Sequence, residues 1–427
     1  MNEKNYIRYR KLKALGNRLC FRFCRIFPVK KKRISVCTFE GRGGFGCNPK
    51  YIVEELHRRS SGYEFVWFVN DMEKKFPDYI KKVPNTLWSR AYWLSTSAIW
   101  IDNYRKPYGT CKRKGQYYLN TNHYTVAMKS TGLWRGKGFS EMAYLVSKND
   151  SDMIDDLVID SKWCEDAFGK GMVYSGNYLK TGAPRCDVLF GDRSIWHRAF
   201  CRRHGLPEDA KVLMYAPTFR EGAKDGKRSV FSGDWSIDFR RLIQNLERKF
   251  GGQWYLCIRV HPQLAEAFQE YRDEEIQDRL IDESRADDMY EILAGMDAYM
   301  TDYSSAMFDA GFAGIPVFLY ADDIEKYAHD RGSLMWNLAT DPPGHVTNNK
   351  AMTPEIDAVL PFSVARDNGE LEKYLMEFDE KRYRTKIDCL MNELKLVFDG
   401  NAGRKVADKI EDMCIVIQTA HDEGERR

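Results

Sequence analysis

Thr301-Asp302-Tyr303-Ser304-Ser305, with Asp309 close behind, lies where a strand-like run (298–303) meets a helical pattern (304–314). Ser304 or Ser305 can cap that helix, and the free N–H groups and positive dipole end of a helix start attract phosphate oxygens. Arg259-Val260-His261-Pro262 ends the preceding strand pattern (254–262) in the same way. There His261 can hydrogen-bond a diphosphate, and Arg259 can face the same pocket or a buried carboxylate. His123 closes a third strand-like run (118–123), with Lys129 and Gly132 downstream. Imidazole titrates near neutral pH, so His123 is a candidate general base for an acceptor hydroxyl. Taken singly, the serines are more simply helix caps and each histidine more simply structural.

One further pattern invites a dinucleotide reading. Gly41-Arg42-Gly43-Gly44-Phe45-Gly46 matches G-x-G-x-x-G after a strand. Asn48-Pro49, however, starts the next helix beyond the last glycine, so the helix does not open inside the fingerprint. A flexible acceptor-site loop is the better reading.

Elements in a βα rhythm must position these residues. Strands are expected at 34–39, 63–69, 86–89, 98–103, 118–123, 145–148 and 172–176, with a helix that Asn48-Pro49 starts and that runs through Tyr51 to Arg59. After a charged helical link (192–209) the rhythm restarts, with strands at 212–219, 254–262, 298–303 and 315–320 and helices at 235–250, 287–296 and 304–314. Strand, helix, strand in that order argues for parallel α/β layers with ligands at the carboxyl ends of the strands. The expected divisions are a basic segment (1–33), a first α/β domain (34–190), a second (205–395) and a C-terminal helical segment (396–427).

Composition narrows the class. The chain has 427 residues, 43% of them apolar and 13% aromatic, enough material for two folded cores. No run of about 18 apolar residues is present, so no membrane-spanning helix is expected, and the N-terminus lacks the pattern of a secretory signal. The 11 cysteines show no CxxC pair, which fits buried thiols in a reducing compartment and disfavours a zinc site. Residues 1–33 hold 12 of the 66 basic residues and one of the 62 acidic ones, leaving 54 against 61 in the remainder. That acidic remainder disfavours nucleic acid as a partner. Leu12, Leu15, Leu19, Phe23 and Ile26 recur at helical spacing among Arg18, Arg22 and Arg25. Such a helix can lie on an anionic bilayer surface, or pack on its own domain or a partner.

The order and number of motifs carry a resemblance. Asn48-Pro49-Lys50, His123-x5-Lys129-x2-Gly132, Gly182-Ala183-Pro184-Arg185-x-Asp187-Val188-Leu189 and Tyr215-Ala216-Pro217-Thr218-Phe219-Arg220 come first. Arg259-Val260-His261-Pro262, Thr301-Asp302-Tyr303-Ser304-Ser305-x3-Asp309, Asp323-x2-Lys326-Tyr327 and Arg331-Gly332 follow. Over about residues 35–335 this set resembles the CDP-glycerol glycerophosphotransferase family of teichoic acid and capsule enzymes. The resemblance implies a GT-B architecture, two Rossmann-like domains facing a central cleft, acceptor side first and CDP-donor side second. It also implies transfer of glycerol phosphate, or a related polyol phosphate, from a CDP-activated donor to a cell-wall or capsule polymer, with release of CMP. No metal or other cofactor is implied.

Carried over residue by residue, His123 resembles the catalytic base and His261 the donor-diphosphate histidine. Ser304 and Ser305 become phosphate ligands, and Arg259, Asp302, Asp309, Thr218 and Arg220 the surrounding donor site. Lys129 and Arg185 are candidates for acceptor or phosphate contacts. The implied partners are a CDP-polyol, a lipid-linked or polymeric acceptor and an anionic membrane, with the protein peripheral on its cytoplasmic face. The family usually has Trp before the first histidine and small residues after it, where this chain has Asn122, Tyr124, Thr125 and Val126. That departure leaves room for a different acceptor. A CDP-ribitol or nucleotide-sugar transferase, and a non-catalytic membrane scaffold, are the alternatives.

Overall fold

Apolar runs too short for helices set the strands of this chain. In the computed structural model, residues 3–59, 62–218, 221–224, 227–230, 236–260, 273–331, 334–338, 346–348 and 359–425 are described. The chain divides into two compact units. One comprises Met1–Thr125, Thr131–Asp187 and Val397–Arg427, the other Val126–Ser130 and Val188–Leu396.

In the first unit β1 (Lys30–Cys37), β2 (Glu64–Val69), β3 (Ile80–Pro84), β4 (Ser97–Asp102), β5 (Tyr117–Asn120), β6 (Asp156–Ile159) and β7 (Asn177–Lys180) form one sheet, ordered β3-β2-β1-β4-β5-β6-β7. All its pairings are parallel. A parallel sheet is covered on both faces, which is why β4 is buried along its whole length. Ile34, Val36, Trp67, Ile99 and Leu119 pack with Ile52, Val53 and Leu56 of the helix Cys47–Arg58. Val406, Ala407 and Ile410 of the C-terminal helix Ala402–Glu425 join the same core. The segment expected to stand apart at 396–427 thus belongs to the first unit.

The structure departs from the sequence expectation in three places. Residues 86–89 begin a helix, Leu87–Thr96, whose cap Thr86 accepts from Ser89 N; the strand lies just before it, in β3. Residues 145–148 lie inside the helix Glu141–Ser151, capped by Ser140. Residues 172–176 hold the end of the helix Lys162–Met172 and its left-handed cap Val173. Strands β6 and β7 flank that helix instead.

The N-terminal helix Glu3–Cys24 carries two apolar stripes. Ile7, Ala14, Phe21 and Cys24 are buried, and Asn17 on the same face donates to the carbonyl of Tyr108 at 2.7 Å. Leu12, Leu15, Leu19, Phe23 and Ile26 are 53–69% exposed. Among the described residues no helix is long and apolar enough to cross a membrane.

In the second unit β8 (Lys211–Tyr215), β11 (Trp254–Ile258), β12 (Leu280–Asp282), β13 (Ala298–Thr301), β14 (Val317–Tyr320) and β18 (Val364–Ala365) form a parallel sheet ordered β12-β11-β8-β13-β14-β18. A hairpin of β9 (Glu221–Lys224) and β10 (Lys227–Val230) and an antiparallel set of β15 (Trp336–Asn337), β16 (Val346–Asn348) and β17 (Val359–Leu360) are its other strands among the described residues. Leu242, Ile243 and Leu246 of the helix Phe239–Phe250 cover the sheet with Leu371 and Leu375 of Asn368–Glu377. The five-residue excursion Val126–Ser130 is stitched into this unit. Met128 N donates to Ser305 Oγ at 3.1 Å, Met335 N to Met128 O at 2.9 Å, and Trp336 Nε1 to Ala127 O at 3.1 Å.

Candidate functional site

In each sheet the strand order reverses beside the first strand, between β1 and β4 and between β8 and β13. At such a point the loops leaving neighbouring strands splay apart and leave room for a ligand at their carboxyl ends. The candidate residues gather at both points.

In the first unit, β1 leads to Phe39, β4 to Asn103 and β5 to His123. The Nδ1 of His123 is 3.0 Å from the carbonyl oxygen of Asn103. A carbonyl only accepts, so Nδ1 carries the proton and Nε2 keeps its lone pair. Asn103 also accepts the N–H of Phe39 on its Oδ1, at 2.8 Å. The rings of Phe39, Tyr104 and Tyr124 surround the imidazole, with centroids 5.3, 5.5 and 5.0 Å away. Part of the ring reaches solvent, but these neighbours displace most of its water. That desolvation pushes its pKa down to about 4, helped by the charges of Arg185 and Arg105 and opposed by the Asn103 bond.

Arg185 is 1% exposed, and its backbone N–H donates to Asn48 Oδ1 at 3.0 Å. The loop Gly41–Gly46 precedes the helix Cys47–Arg58 and so lies outside the helix start, as a dinucleotide fingerprint would not. Phe39, Glu40 and Gly41 run consecutively at positive φ, the turn that brings Phe39 against His123.

Gly132 is fixed by space as well as by backbone. Its φ is +53°, and a Cβ there would lie 2.6 Å from the carbonyl of Lys170 and closer still to that of Gly171. A left-handed penalty of about 1–2 kcal/mol adds to a similar clash cost of about 1–3 kcal/mol. Gly132→Ala is therefore expected to lose about 2–5 kcal/mol of stability, read as a lower midpoint in urea unfolding. An unchanged midpoint would show that the backbone relaxes.

In the second unit the loops after β8 and β13 are clamped by one carboxylate. Asp302 accepts from Thr218 N at 2.8 and 3.0 Å and from Tyr303 N. Thr301 Oγ1 donates to Ala216 O at 2.6 Å, a second tie between the same loops. Asp302 and Asp309 are each 1% exposed, and Tyr290 Oη donates to Asp309. Both carboxylates thus belong to the framework that shapes the loop. Tyr303 donates to Asp323 at 2.9 Å and stacks on Tyr327 at 3.8 Å, and the Lys129 ammonium lies 5.7 Å from the Tyr327 ring.

Ser304 and Ser305 are half-buried. The helix that follows, Ala306–Phe312, is only two turns long and has no side-chain cap from Ser305, whose hydroxyl accepts from Met128 N. Arg259 donates to the carbonyls of Glu283 and Ala286 at 2.6 and 2.7 Å, and its loop is tied again by Val260 N to Ser284 Oγ at 3.1 Å. Burial lowers the pKa of this guanidinium. His261 and Arg220 lie outside the described residues. Among the described residues no group of three or more His, Cys, Asp or Glu side chains could hold a metal ion.

The sequence therefore points to His123 but not to its partners. Asn103 and Phe39 carry no motif; only their place at the ends of β4 and β1, beside the reversal in strand order, marks them.

A sequence model of the CDP-glycerol:poly(glycerophosphate) glycerophosphotransferase family matches residues 19–412. The teichoic acid poly(glycerol phosphate) polymerase of Staphylococcus epidermidis is 27% identical over 392 residues, 90% of this chain but 51% of the relative. The chain thus spans about half the length of that relative. The teichoic acid glycerol-phosphate transferase of Staphylococcus aureus is 27% identical over 336 residues, 75% of this chain and 82% of its own length. Among solved structures, the wall teichoic acid polymerase TagF superposes with a TM-score of 0.75 at 24% identity, covering 97% of this chain and 99% of that one. That likeness identifies the architecture as the GT-B-like pair of parallel-sheet α/β units.

Proposed function

We propose that this chain, which belongs to the CDP-glycerol:poly(glycerophosphate) glycerophosphotransferase family, transfers glycerol phosphate from CDP-glycerol to a hydroxyl of a cell-wall polymer and releases CMP. The observation that carries the mechanism is His123, whose Nδ1–H is held by the Asn103 carbonyl so that Nε2 offers a lone pair. Nε2 takes the proton of the terminal acceptor hydroxyl while that oxygen attacks the β-phosphorus of the donor. The phosphorus–oxygen bond to CMP breaks in line with the one that forms, and CMP carries away the electron pair. A pKa near 4 keeps the ring neutral, and therefore able to accept, across the physiological range.

Ser304, Ser305 and His261 contact the donor diphosphate, with Thr218 and Arg220 alongside it and Arg259, Asp302 and Asp309 shaping the loops that carry them. Lys129 and Arg185 add positive charge for a polyanionic acceptor. These groups meet the developing charge without a metal ion. The protein works on the cytoplasmic face of the membrane, held there by its N-terminal helix. Leu12, Leu15, Leu19 and Phe23 face outward from that helix among exposed arginines, Ile26 in the turn after it is exposed as well, and Trp88, 59% exposed, extends the patch from a ring contact with Phe23 at 6.2 Å. Apolar side chains flanked by cations suit a bilayer surface that carries anionic lipid.

The deciding assay is CMP release from CDP-glycerol and from CDP-ribitol, with EDTA present and a lipid-linked or polymeric acceptor supplied. Acceptor-dependent CMP from CDP-glycerol alone is the expected result. Release only from CDP-ribitol would replace the polyol, dependence on added divalent ion would overturn the metal-free step, and no release from either would overturn the reaction.

A further inference from the structure

The catalytic geometry proposed above depends on a loop that regular structure does not hold. After Asn120 the chain leaves β5 and passes through Asn122 in the left-handed region, at φ 51°, before reaching His123. Three ties hold the loop on the sheet side: Thr121 N and Oγ1 donate to Asp102 O, at 2.8 and 3.3 Å, and Asn122 N donates to Asn120 Oδ1 at 2.8 Å. The carbonyls of Thr121 and Asn122 point the other way, into protein, where an unpaired carbonyl is costly.

Asn48 meets both of them. Its Nδ2 lies 3.1 Å from Thr121 O and 3.0 Å from Asn122 O, and its Oδ1 accepts the Arg185 N–H at 3.0 Å. The side chain is fully buried. The Thr121 hydroxyl reaches Asn122 O as well, at 3.1 Å, so that carbonyl has a second donor while Asn48 supplies the link to another element. Asn48 stands in the first turn of the helix Cys47–Arg58, a fixed point packed into the core. Asparagine suits the position because it presents two donors and an acceptor at once. An aspartate would set an oxygen against two carbonyl oxygens, and an alanine would remove the Asn48 hydrogen bond from all three partners, leaving Asn122 O only its Thr121 donor.

We infer that Asn48 is a positioning residue for the transfer: through the two carbonyls before His123 it fixes where the imidazole stands relative to the acceptor hydroxyl. The inference rests on the reading of His123 as the base. A misplacement on the order of 1 Å at a reacting group costs about 10²-fold in rate. It leaves untouched the groups that contact the donor.

The test compares Asn48→Ala and Asn48→Ser with the native protein in three measurements. These are kcat and KM for donor and acceptor, the Kd of CDP-glycerol, and the ring-nitrogen NMR signals of His123 in ¹⁵N-histidine-labelled protein. The expected result is a fall in kcat of about 10²-fold for alanine, with a smaller fall for serine, which keeps one donor. Both KM values and the Kd are unchanged, and the His123 ring shifts from a single Nδ1–H tautomer to a mixture. Native kcat in folded Asn48→Ala, or unaltered His123 signals in either variant, overturns the inference. If alanine does not fold, the serine variant carries the same comparison. Failure of the base reading is separately visible, because His123→Ala would then retain activity whatever Asn48 does to the ring.

Discussion

His123→Ala lowers acceptor-dependent CMP release by about 10²–10⁴-fold, the usual contribution of a positioned general base. The proposed donor contacts, Ser304, Ser305 and Thr218, belong to the other unit, so the Kd of CDP-glycerol should be unaltered. Loss of donor binding would assign His123 to the donor instead. The pH profile gives an independent reading of the native protein. A base must be unprotonated to act, so kcat/KM rises with pH through its free-protein pKa and is flat above it. An ordinary imidazole would put that limb at 6.5, whereas desolvation among Phe39, Tyr104 and Tyr124 moves it to about 4. The expected profile is flat through pH 6.5 and falls only on further acidification. A limb near 6.5 would mean that the ring is solvated in the working protein, or that another group is being titrated.

The second large effect concerns the membrane. Leu15→Glu with Leu19→Glu should release the protein from anionic vesicles, because both side chains are more than half exposed and neither holds the helix on its unit. Burying one leucine contributes about 1.5–3 kcal/mol, so the pair accounts for about 10²–10⁴-fold in vesicle partitioning. Thermal stability should hardly change. Substitution of Phe21, on the buried stripe of the same helix, should instead lower stability. Co-sedimentation with vesicles of stated anionic lipid content measures the difference. Undiminished sedimentation of the double variant would assign the exposed stripe to another partner.

Where apolar runs are long the sequence announced the fold. Residues 64–69 and 97–102 are uninterrupted enough that their strands were expected to within one residue. Strand β6 is four residues long, and no period can be measured over so few. The apolar run at 145–148 suggests a strand but lies inside the helix Glu141–Ser151, whose start is marked by Ser140 before Glu141, the Ser140 hydroxyl accepting from Ala143 N. Capping chemistry outweighed apolar clustering there. In the site, His123 was visible because imidazole is rare and chemically singular. Its hydrogen-bond partner is a backbone carbonyl from another strand end, and a carbonyl has no residue type to read. The two stripes of the N-terminal helix show a different limit. Sequence periodicity detects an apolar face, but it does not say whether domain or solvent receives it.

The short loan of Val126–Ser130 constrains how such enzymes can be recombined. A cut at the boundary near residues 187–188 would separate two sequences of sensible length, yet the downstream piece would lack the strand partner of Leu334 and the donor to Ser305. The upstream piece would carry those five residues without Ser305, Leu334, Met335 and Trp336, and would lose the helix at 402–425 that closes its core. Neither half is a cassette. Exchanging halves between relatives therefore requires three junctions in addition to the obvious one, at 125–126, 130–131 and 396–397, whereas grafting the loops after β8 and β13 crosses no unit boundary and needs only that Ser305, the acceptor for Met128 N, be kept.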